Sequence, residues 1–146
     1  MIPITGICYS YARCSHLDSA QSGMGLEVQR QQCKAEADRI IALHPDLCWG
    51  GRYEDKGVSA YKIDLIARPA GKRLHDILRR GDYVIFAKMD RAFRSLRDFA
   101  CTSKMWRDMG VELIFIDAGV DGSTPSGRMM LGMLALMAEF HSAVLS

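Results

Sequence analysis

Apolar residues along this chain recur at two alternating spacings, one typical of strands and one of helices. Four runs favour extended backbone, and the two later runs are apolar almost throughout, as in strands covered on both faces: 2–14, 47–53, 83–88 and 111–116. Apolar positions three or four residues apart predict the helices between and after them: 26–43, from Pro69 to a stop at Gly81, 95–109, and from about 127 onward. This alternation predicts an α/β fold with an open, mostly parallel sheet of about four to five strands flanked by helices.

The length and the distribution of charge narrow the function. A chain of 146 residues is one domain on the usual size scale, and its formal net charge is only +2. However, residues 68–107 hold 11 of the 19 basic residues and four of the 17 acidic ones. A basic segment in an otherwise acidic chain indicates a site for an anion, most commonly nucleic acid or phosphate.

The cysteines and the two ends of the chain indicate a reduced, cytoplasmic protein. Five cysteines are an odd number, and none forms a CxxC pair. The first residues lack the basic segment of a secretory signal. The apolar run 129–138 is too short to span a bilayer, so we expect no membrane partner and interpret it as part of a long C-terminal helix that is buried or faces another subunit.

The first candidate for chemistry is Tyr11-Ala12-Arg13-Cys14-Ser15, at the end of the first strand. Strand alternation puts Tyr11, Arg13 and Ser15 on one face, and Ala12 and Cys14 on the other. A serine near an arginine suits attack on a phosphate, because the guanidinium neutralises the oxygens that the hydroxyl must approach. The alternative is a strand-end serine that only caps a loop.

The second candidate is the charged segment 88–94, which directly follows the most apolar strand. If a helix begins there, Arg91 and Arg94 lie three residues apart on one face and can grip one phosphodiester together. The helix N-terminus would add partial positive charge, and Asp90 could hold an arginine or take part in proton transfer. The alternative is a solvated, charged first turn of no special function.

Other patterns are weaker. The glycine-containing loop before Gln29 lacks the spacing of a dinucleotide-binding fingerprint, and no phosphate-binding Gly-Lys-Ser/Thr motif occurs. Cys8 and Arg13 are separated by four residues rather than the five of a thiolate phosphatase, so Cys8 and Cys14 are interpreted as core thiols. The four histidines share no spacing that would build a metal site, and no metal is expected.

Six segments, in order along nearly the whole chain, together resemble the catalytic domain of the serine recombinases, the resolvase/invertase family. They are Tyr11-x-Arg13-x-Ser15, 25–30 with Gln29, 54–60, Arg68-Pro69, 88–95, and the start of the last helix at 124–128 with 138–140. No single segment is specific, but six in the same order are.

The resemblance implies a reaction and a set of site residues. The Ser15 hydroxyl would attack a DNA phosphodiester in line, giving a 5′-phosphoseryl link and a free 3′-hydroxyl, without metal, nucleotide or other cofactor. The remaining implied residues are four arginines around the scissile phosphate and two residues that orient them: Arg13, Arg68, Arg91, Arg94, Gln29 and Asp90. The general base is not assigned.

The resemblance also implies partners. Double-stranded DNA is the substrate, and homodimers would join as a tetramer through the apolar final helix. Where relatives usually continue Glu-Phe-Glu-Arg, this chain reads Glu139-Phe140-His141-Ser142, and the DNA-reading domain expected downstream is absent from residues 1–146. Two alternatives remain open: a catalytically silent remnant that only dimerises, and a phosphate-handling α/β enzyme unrelated to DNA.

Overall fold

The computed structural model describes residues 4–14, 24–57 and 63–145, except for the side chains at positions 24, 90, 91, 138 and 141–145. The strands in these residues are β1 (Gly6–Cys14), β2 (Leu47–Lys56), β3 (Tyr83–Phe86), β4 (Glu112–Phe115) and β5 (Val120–Asp121). The helices are α1 (Met24–Leu43), α2 (Pro69–Ile77), the single turn α3 (Met89–Ala92), α4 (Leu96–Asp108) and α5 (Pro125–Leu145), with a 3₁₀ turn at Leu65–Ala67.

The strands form one five-stranded sheet in the order β2-β1-β3-β4-β5. All neighbours run parallel except β5, which is antiparallel to β4. The predicted α/β class and the mostly parallel sheet are therefore confirmed. The sequence pattern missed β5, because a strand of two residues is too short to show any periodicity.

The alternation of side chains along β3 divides the interior into two cores. Ile85 points to the face covered by α1, where small and aliphatic side chains pack together: Cys8, Cys33, Ala37, Ile40, Leu47, Ile85, Ala87 and Ile114. Val84 and Phe86 point to the other face, which α2, α4 and α5 cover with an aromatic-rich core that includes Phe93, Phe99, Trp106 and Phe115. Both faces are buried, as the apolar strand pattern predicted.

The ends of two helices differ from the prediction. Helix α2 ends at Ile77 rather than near Gly81. Gly81 instead lies in the turn before β3 with φ of +94°, where a Cβ atom would come within 2.7 Å of the Thr5 carbonyl oxygen. This turn therefore needs glycine for its backbone, not as a helix stop. The last helix begins at Pro125, two residues before the predicted start.

Helix α5 places one side on the domain and leaves another side uncovered. Leu131 is fully buried against the aromatic core. The opposite side exposes a row of large apolar residues, called here the α5 apolar face: Met129, Met130, Met133, Leu136, Met137 and Phe140. Among the described residues, no helix is both long and apolar enough to cross a membrane.

The topology marks one edge of the sheet as the place for a ligand. From β1 the chain moves to β2 on one side, and β3 then pairs with β1 on its other side. This reversal opens a crevice beyond the carboxyl ends of β1 and β3, where open α/β sheets bind their ligands. The segments that carry the predicted site residues meet at this edge.

Candidate functional site

Strand β1 brings Arg13 to the crevice and ends one residue later, at Cys14. Tyr11 lies on the opposite face from Ala12 and Cys14, as strand alternation predicted: it packs in the aromatic core, whereas Ala12 and Cys14 pack with Leu26 of α1. Cys8 and Cys14 are buried, as the core-thiol interpretation required. Ser15, the predicted nucleophile, follows Cys14 directly but lies outside the described residues, so its position and contacts stay a prediction.

Arg68 is the most unusual side chain at this edge, because its guanidinium is completely buried. Its Nε donates to the Ile63 carbonyl oxygen at 3.0 Å. Its Nη1 donates to the Tyr11 hydroxyl at 3.0 Å and to the Ala92 carbonyl oxygen at 2.6 Å. Its Nη2 has no hydrogen-bond partner among the described residues. A buried cationic donor without an acceptor is costly, so this nitrogen is suited to an anionic ligand.

Tyr11 and Asp55 hold Arg68 from the other side. The Tyr11 hydroxyl accepts from Arg68 and donates to Oδ2 of Asp55 at 2.7 Å. Asp55 also accepts from the backbone amides of Ala70 and Gly71, at 2.8 and 3.1 Å. Burial raises the pKa of Tyr11, so the phenol keeps its proton and remains a donor to Asp55.

The Asp55 carboxylate occupies the N-terminus of α2. Two of the first amides of α2 already donate to the Asp55 carboxylate. A bound anion would therefore be held by Arg68 and not by the helix N-terminus.

Sequence reasoning assigned no role to Tyr11 or Asp55 in the site. The predicted second strand stops at residue 53, but β2 continues to Lys56, and Asp55 lies near its end, paired in register with Arg13 of β1. The available signal was positional: parallel strands end at the same edge of a sheet, so polar residues at the ends of β1 and β2 lie close together.

Gln29 belongs to the site by its contact with β1. Helix α1 places it in a buried position against the strand, where its Nε2 donates to the Arg13 carbonyl oxygen at 3.3 Å. Arg13 itself is also nearly inaccessible to solvent. In this structure Gln29 therefore positions the backbone that carries Arg13.

The arginine pair after β3 is not arranged as predicted. Helix α3 ends at Ala92, and Phe93 is extended before α4 starts at Leu96. The expectation that Arg91 and Arg94 share one helical face is therefore wrong. The physical reason is that Ser95 caps α4 by accepting the Asp98 amide at 3.1 Å, which starts a new helix beyond Arg94.

The N-terminus of α3 also contributes little of the partial positive charge that was expected there. Helix α3 has four residues, and its first amide, on Met89, donates at 3.3 Å to the carboxylate of Asp117. The positive end of this turn is therefore already opposed by a carboxylate. The side chains of Asp90 and Arg91 lie outside the described residues, so their predicted roles stay predictions.

Arg94 lies at the solvent-facing rim of the crevice. Its guanidinium is about half exposed and pairs with the Asp64 carboxylate at 3.4 Å. Its backbone amide donates to Asp98 at 2.7 Å. The described edge therefore combines a buried, strongly held arginine with a rim arginine that can reach a large ligand in solvent.

Comparisons of the sequence with a family model and with curated relatives agree on one family. The family model described as "Resolvase, N terminal domain" matches residues 8–146. A resolvase/recombinase of Pseudomonas putida is 27% identical over 131 residues, which cover 90% of this chain and 62% of that protein. The chain spans between 42% and 62% of the lengths of the first curated relatives that it matches.

Solved structures agree with the observed fold. A resolvase family site-specific recombinase from Streptococcus pneumoniae superposes with a TM-score of 0.67 at 27% identity, covering 95% of this chain and 89% of that one. The N-terminal catalytic domain of TP901-1 integrase gives a TM-score of 0.72 at 22% identity, covering 94% and 98% of the two chains. The second likeness concerns the fold alone.

Proposed function

The chain belongs to the resolvase family of site-specific recombinases, and from that premise we propose that residues 1–146 form a catalytic domain that cuts and rejoins double-stranded DNA with Ser15 as its nucleophile. The DNA-reading part would be a separate domain. The observation that carries this proposal is the buried Arg68 guanidinium at the carboxyl edge of the sheet, whose Nη2 has no hydrogen-bond acceptor among the described residues.

The proposed reaction is a transesterification at phosphorus. The Ser15 oxygen loses its proton and bonds to phosphorus, while the bond from phosphorus to the 3′ oxygen of DNA breaks. The 3′ oxygen takes up a proton and leaves as a hydroxyl, and the 5′ phosphate stays on Ser15 as an ester. Since the ester retains the energy of the broken bond, the reverse attack by a 3′-hydroxyl reseals DNA without any cofactor.

The arginines would stabilise the charge on the scissile phosphate in the transition state. Nη2 of Arg68 would donate to a non-bridging oxygen, and its other contacts would keep the guanidinium in place during the reaction. Arg13, Arg91 and Arg94 would complete the positive surroundings of the phosphate. Gln29 would act through the Arg13 backbone, and Asp90 would orient a neighbouring arginine.

The α5 apolar face would join subunits into a dimer and then a tetramer. Its six large side chains are between 47% and 73% exposed, far more than a helix packed on its own domain requires. Methionine, which supplies four of the six, adapts its shape to a changing partner surface. Such a surface suits an interface that must rearrange while DNA strands are exchanged.

A covalent trap tests this function. We would fuse the chain to a zinc-finger domain and supply DNA in which two inverted finger sites flank a randomised core. Detergent would stop the reaction, and mass spectrometry would locate the modified residue. The expected product is a protein–DNA adduct through a 5′ phosphate on Ser15, absent in Ser15→Ala and retained in Cys14→Ala.

Three outcomes would contradict the proposal. An adduct that persists in Ser15→Ala would mean that another residue is the nucleophile. A fusion that binds its sites and dimerises but forms no adduct would favour a catalytically silent domain. Hydrolysis of small phosphate esters without any DNA adduct would instead favour an unrelated phosphate-handling enzyme.

A further inference from the structure

Asp98 is a buried carboxylate that lies behind the site and was not singled out by the sequence. It is the third residue of α4 after the capping residue Ser95. It is only 6% exposed. A charged side chain buried this deeply is retained only when specific partners compensate for its lost solvation.

The partners of Asp98 come from two separate segments of the site. Its Oδ2 accepts the backbone amide of Arg94 at 2.7 Å and the backbone amide of Leu65 at 3.3 Å. Leu65 begins the 3₁₀ turn that directly precedes Arg68, and the Arg68 amide donates to the Leu65 carbonyl oxygen at 3.2 Å. One carboxylate oxygen therefore fastens the backbone of Arg94 and the segment that carries Arg68.

Ordinary helix capping does not explain this pattern. In a capping box the third residue of a helix reaches back to the amide of the capping residue itself. Here that amide would belong to Ser95, yet Asp98 accepts the amide one residue earlier, on Arg94, and a second amide 33 residues away in the chain. The long-range bond links two segments that a helix cap has no reason to join.

A second bond links the same two segments from the side of the crevice. Nη1 of Arg68 donates to the Ala92 carbonyl oxygen, two residues before Arg94. Asp98 therefore holds the backbone amides of Arg94 and Leu65, and the Arg68 side chain holds the nearby Ala92 carbonyl group. We propose that Asp98 is a positioning residue that holds Arg94 and the Arg68 segment in one arrangement, so that both arginines can meet the same phosphate.

This inference rests on the proposed function, in which both arginines act on the phosphate. Both amide bonds fall on one oxygen atom, Oδ2 of Asp98. Asp98→Asn keeps the volume and one oxygen that can accept from two amides, so it tests the charge and not the loss of the acceptor. Thr102 supports the carboxylate from within α4, where its Oγ1 donates to Oδ1 of Asp98 at 3.3 Å.

Ser95→Ala provides a matched control. It removes the cap that α4 receives from the Ser95 hydroxyl and lowers stability, but it leaves both amide bonds from Arg94 and Leu65 to Asp98. Asp98→Ala removes those two bonds. A purely structural role for Asp98 predicts that the two variants behave alike once both are folded.

The decisive readout is a double-mutant cycle on the rate of adduct formation, using the zinc-finger fusion of the complete chain. Arg94→Ala is expected to slow the wild type on the order of 100-fold. In the Asp98→Ala background the same change should slow the reaction only about tenfold or less, because Arg94 is already misplaced. In the Ser95→Ala background it should keep its full effect. Equal effects in all three backgrounds would overturn the inference.

A second measurement needs no catalysis. Amide hydrogen exchange should lose protection at Leu65 and Arg94 together in Asp98→Ala, whereas in Ser95→Ala the loss should centre on Asp98 itself. If Asp98→Ala does not fold, Asp98→Val, which also removes the acceptor but leaves a smaller cavity, takes its place in both measurements. If the wild type forms no adduct, the proposed function fails. Hydrogen exchange alone then tests whether Asp98 holds the Leu65 and Arg94 segments together. Loss of protection at only one of these two amides in Asp98→Ala would overturn that inference.

Discussion

The two ends of the sheet each bury a charged side chain, and the two charges are satisfied differently. At the amino end, the Asp82 carboxylate accepts the backbone amides of Ile7 and Arg79, at 3.0 and 2.8 Å. At the carboxyl end, Arg68 makes three hydrogen bonds, yet its Nη2 finds no acceptor among the described residues. Burial alone therefore does not mark a functional residue.

Asp82 and Arg68 differ in whether the fold uses all of their hydrogen-bonding atoms. Asp82 closes the backbone where β1, β3 and the turn after α2 meet, and both of its oxygens are used by the fold. Arg68 lies beside the topological crevice, and the described part of the chain offers no acceptor to its Nη2, which the fold tolerates at a cost. A buried charge whose partners are all main-chain groups stabilises structure, whereas one with an unmet donor at a ligand edge indicates a site.

The largest expected effect comes from Arg68→Lys. Lysine carries a compact charge that cannot contact Tyr11, Ala92 and a phosphate together, because it lacks the planar fork of arginine. We expect the rate of adduct formation to fall about 10²–10³-fold, with the protein still folded by circular dichroism. Arg73→Lys, at an exposed position of α2, is the control and should react like the wild type. A rate within tenfold of the wild type would mean that Arg68 is a structural residue like Asp82.

Asp82→Ala should have the opposite profile. It leaves the partly buried amides of Ile7 and Arg79 without their acceptor, so the free energy of unfolding should fall by about 2 kcal/mol. Urea denaturation measures this loss. The folded fraction should still form adduct at the wild-type rate. Asp76→Ala is the control, because Asp76 is exposed and forms a surface ion pair with Lys72 at 3.2 Å, and it should change stability by less than about 0.5 kcal/mol.

A smaller effect is expected from Tyr11→Phe, which breaks the link between Arg68 and Asp55. Each partner keeps another bond: Arg68 to the Ala92 oxygen, and Asp55 to the first amides of α2. The free energy of unfolding should therefore fall by only about 1 kcal/mol, and adduct formation should slow less than in Arg68→Lys. Tyr53→Phe, on the neighbouring strand, is the matched control. A loss in Tyr11→Phe as large as that in Arg68→Lys would give the phenol its own role in the reaction.

The contrast between the two ends also shows what the sequence could predict. Apolar runs located β1, β3 and β4, because strands buried on both faces carry little else. The apolar spacing placed the start of α4 near residue 95, as observed, whereas the helical face expected for Arg91 and Arg94 is wrong because the turn that contains Arg91 ends at Ala92. A local cap such as Ser95 can start a new helix only a few residues after the previous one ends.

The sequence pointed to Arg68 as a site residue, but the signal was the family resemblance and not the local pattern of residues. Arg68 came from a family resemblance, not from its own neighbourhood, where an arginine before a proline reads as an ordinary helix start. Its burial depends on Tyr11 and Asp55, which are 57 and 13 residues away in the chain and meet it only through the pairing of strands. Long-range pairing of this kind leaves no periodicity in a single sequence, and its only signal is the position of polar residues at strand ends.

The smallest expected effect concerns the rim of the crevice, where Asp64 and Arg94 form an ion pair at 3.4 Å with both side chains about half exposed. Asp64→Asn should change the free energy of unfolding by less than about 0.5 kcal/mol, because water and salt screen such pairs. It removes a negative charge that repels DNA and competes with it for Arg94. We therefore expect the fusion to bind DNA slightly more tightly in low salt, with the difference shrinking as ionic strength rises. Asp108→Asn, which removes an exposed carboxylate from the far end of α4, is the control for net charge and should give a smaller gain. Weaker binding by Asp64→Asn would show instead that Asp64 orients Arg94 toward the phosphate, and would extend the network of held arginines from the buried edge to the rim.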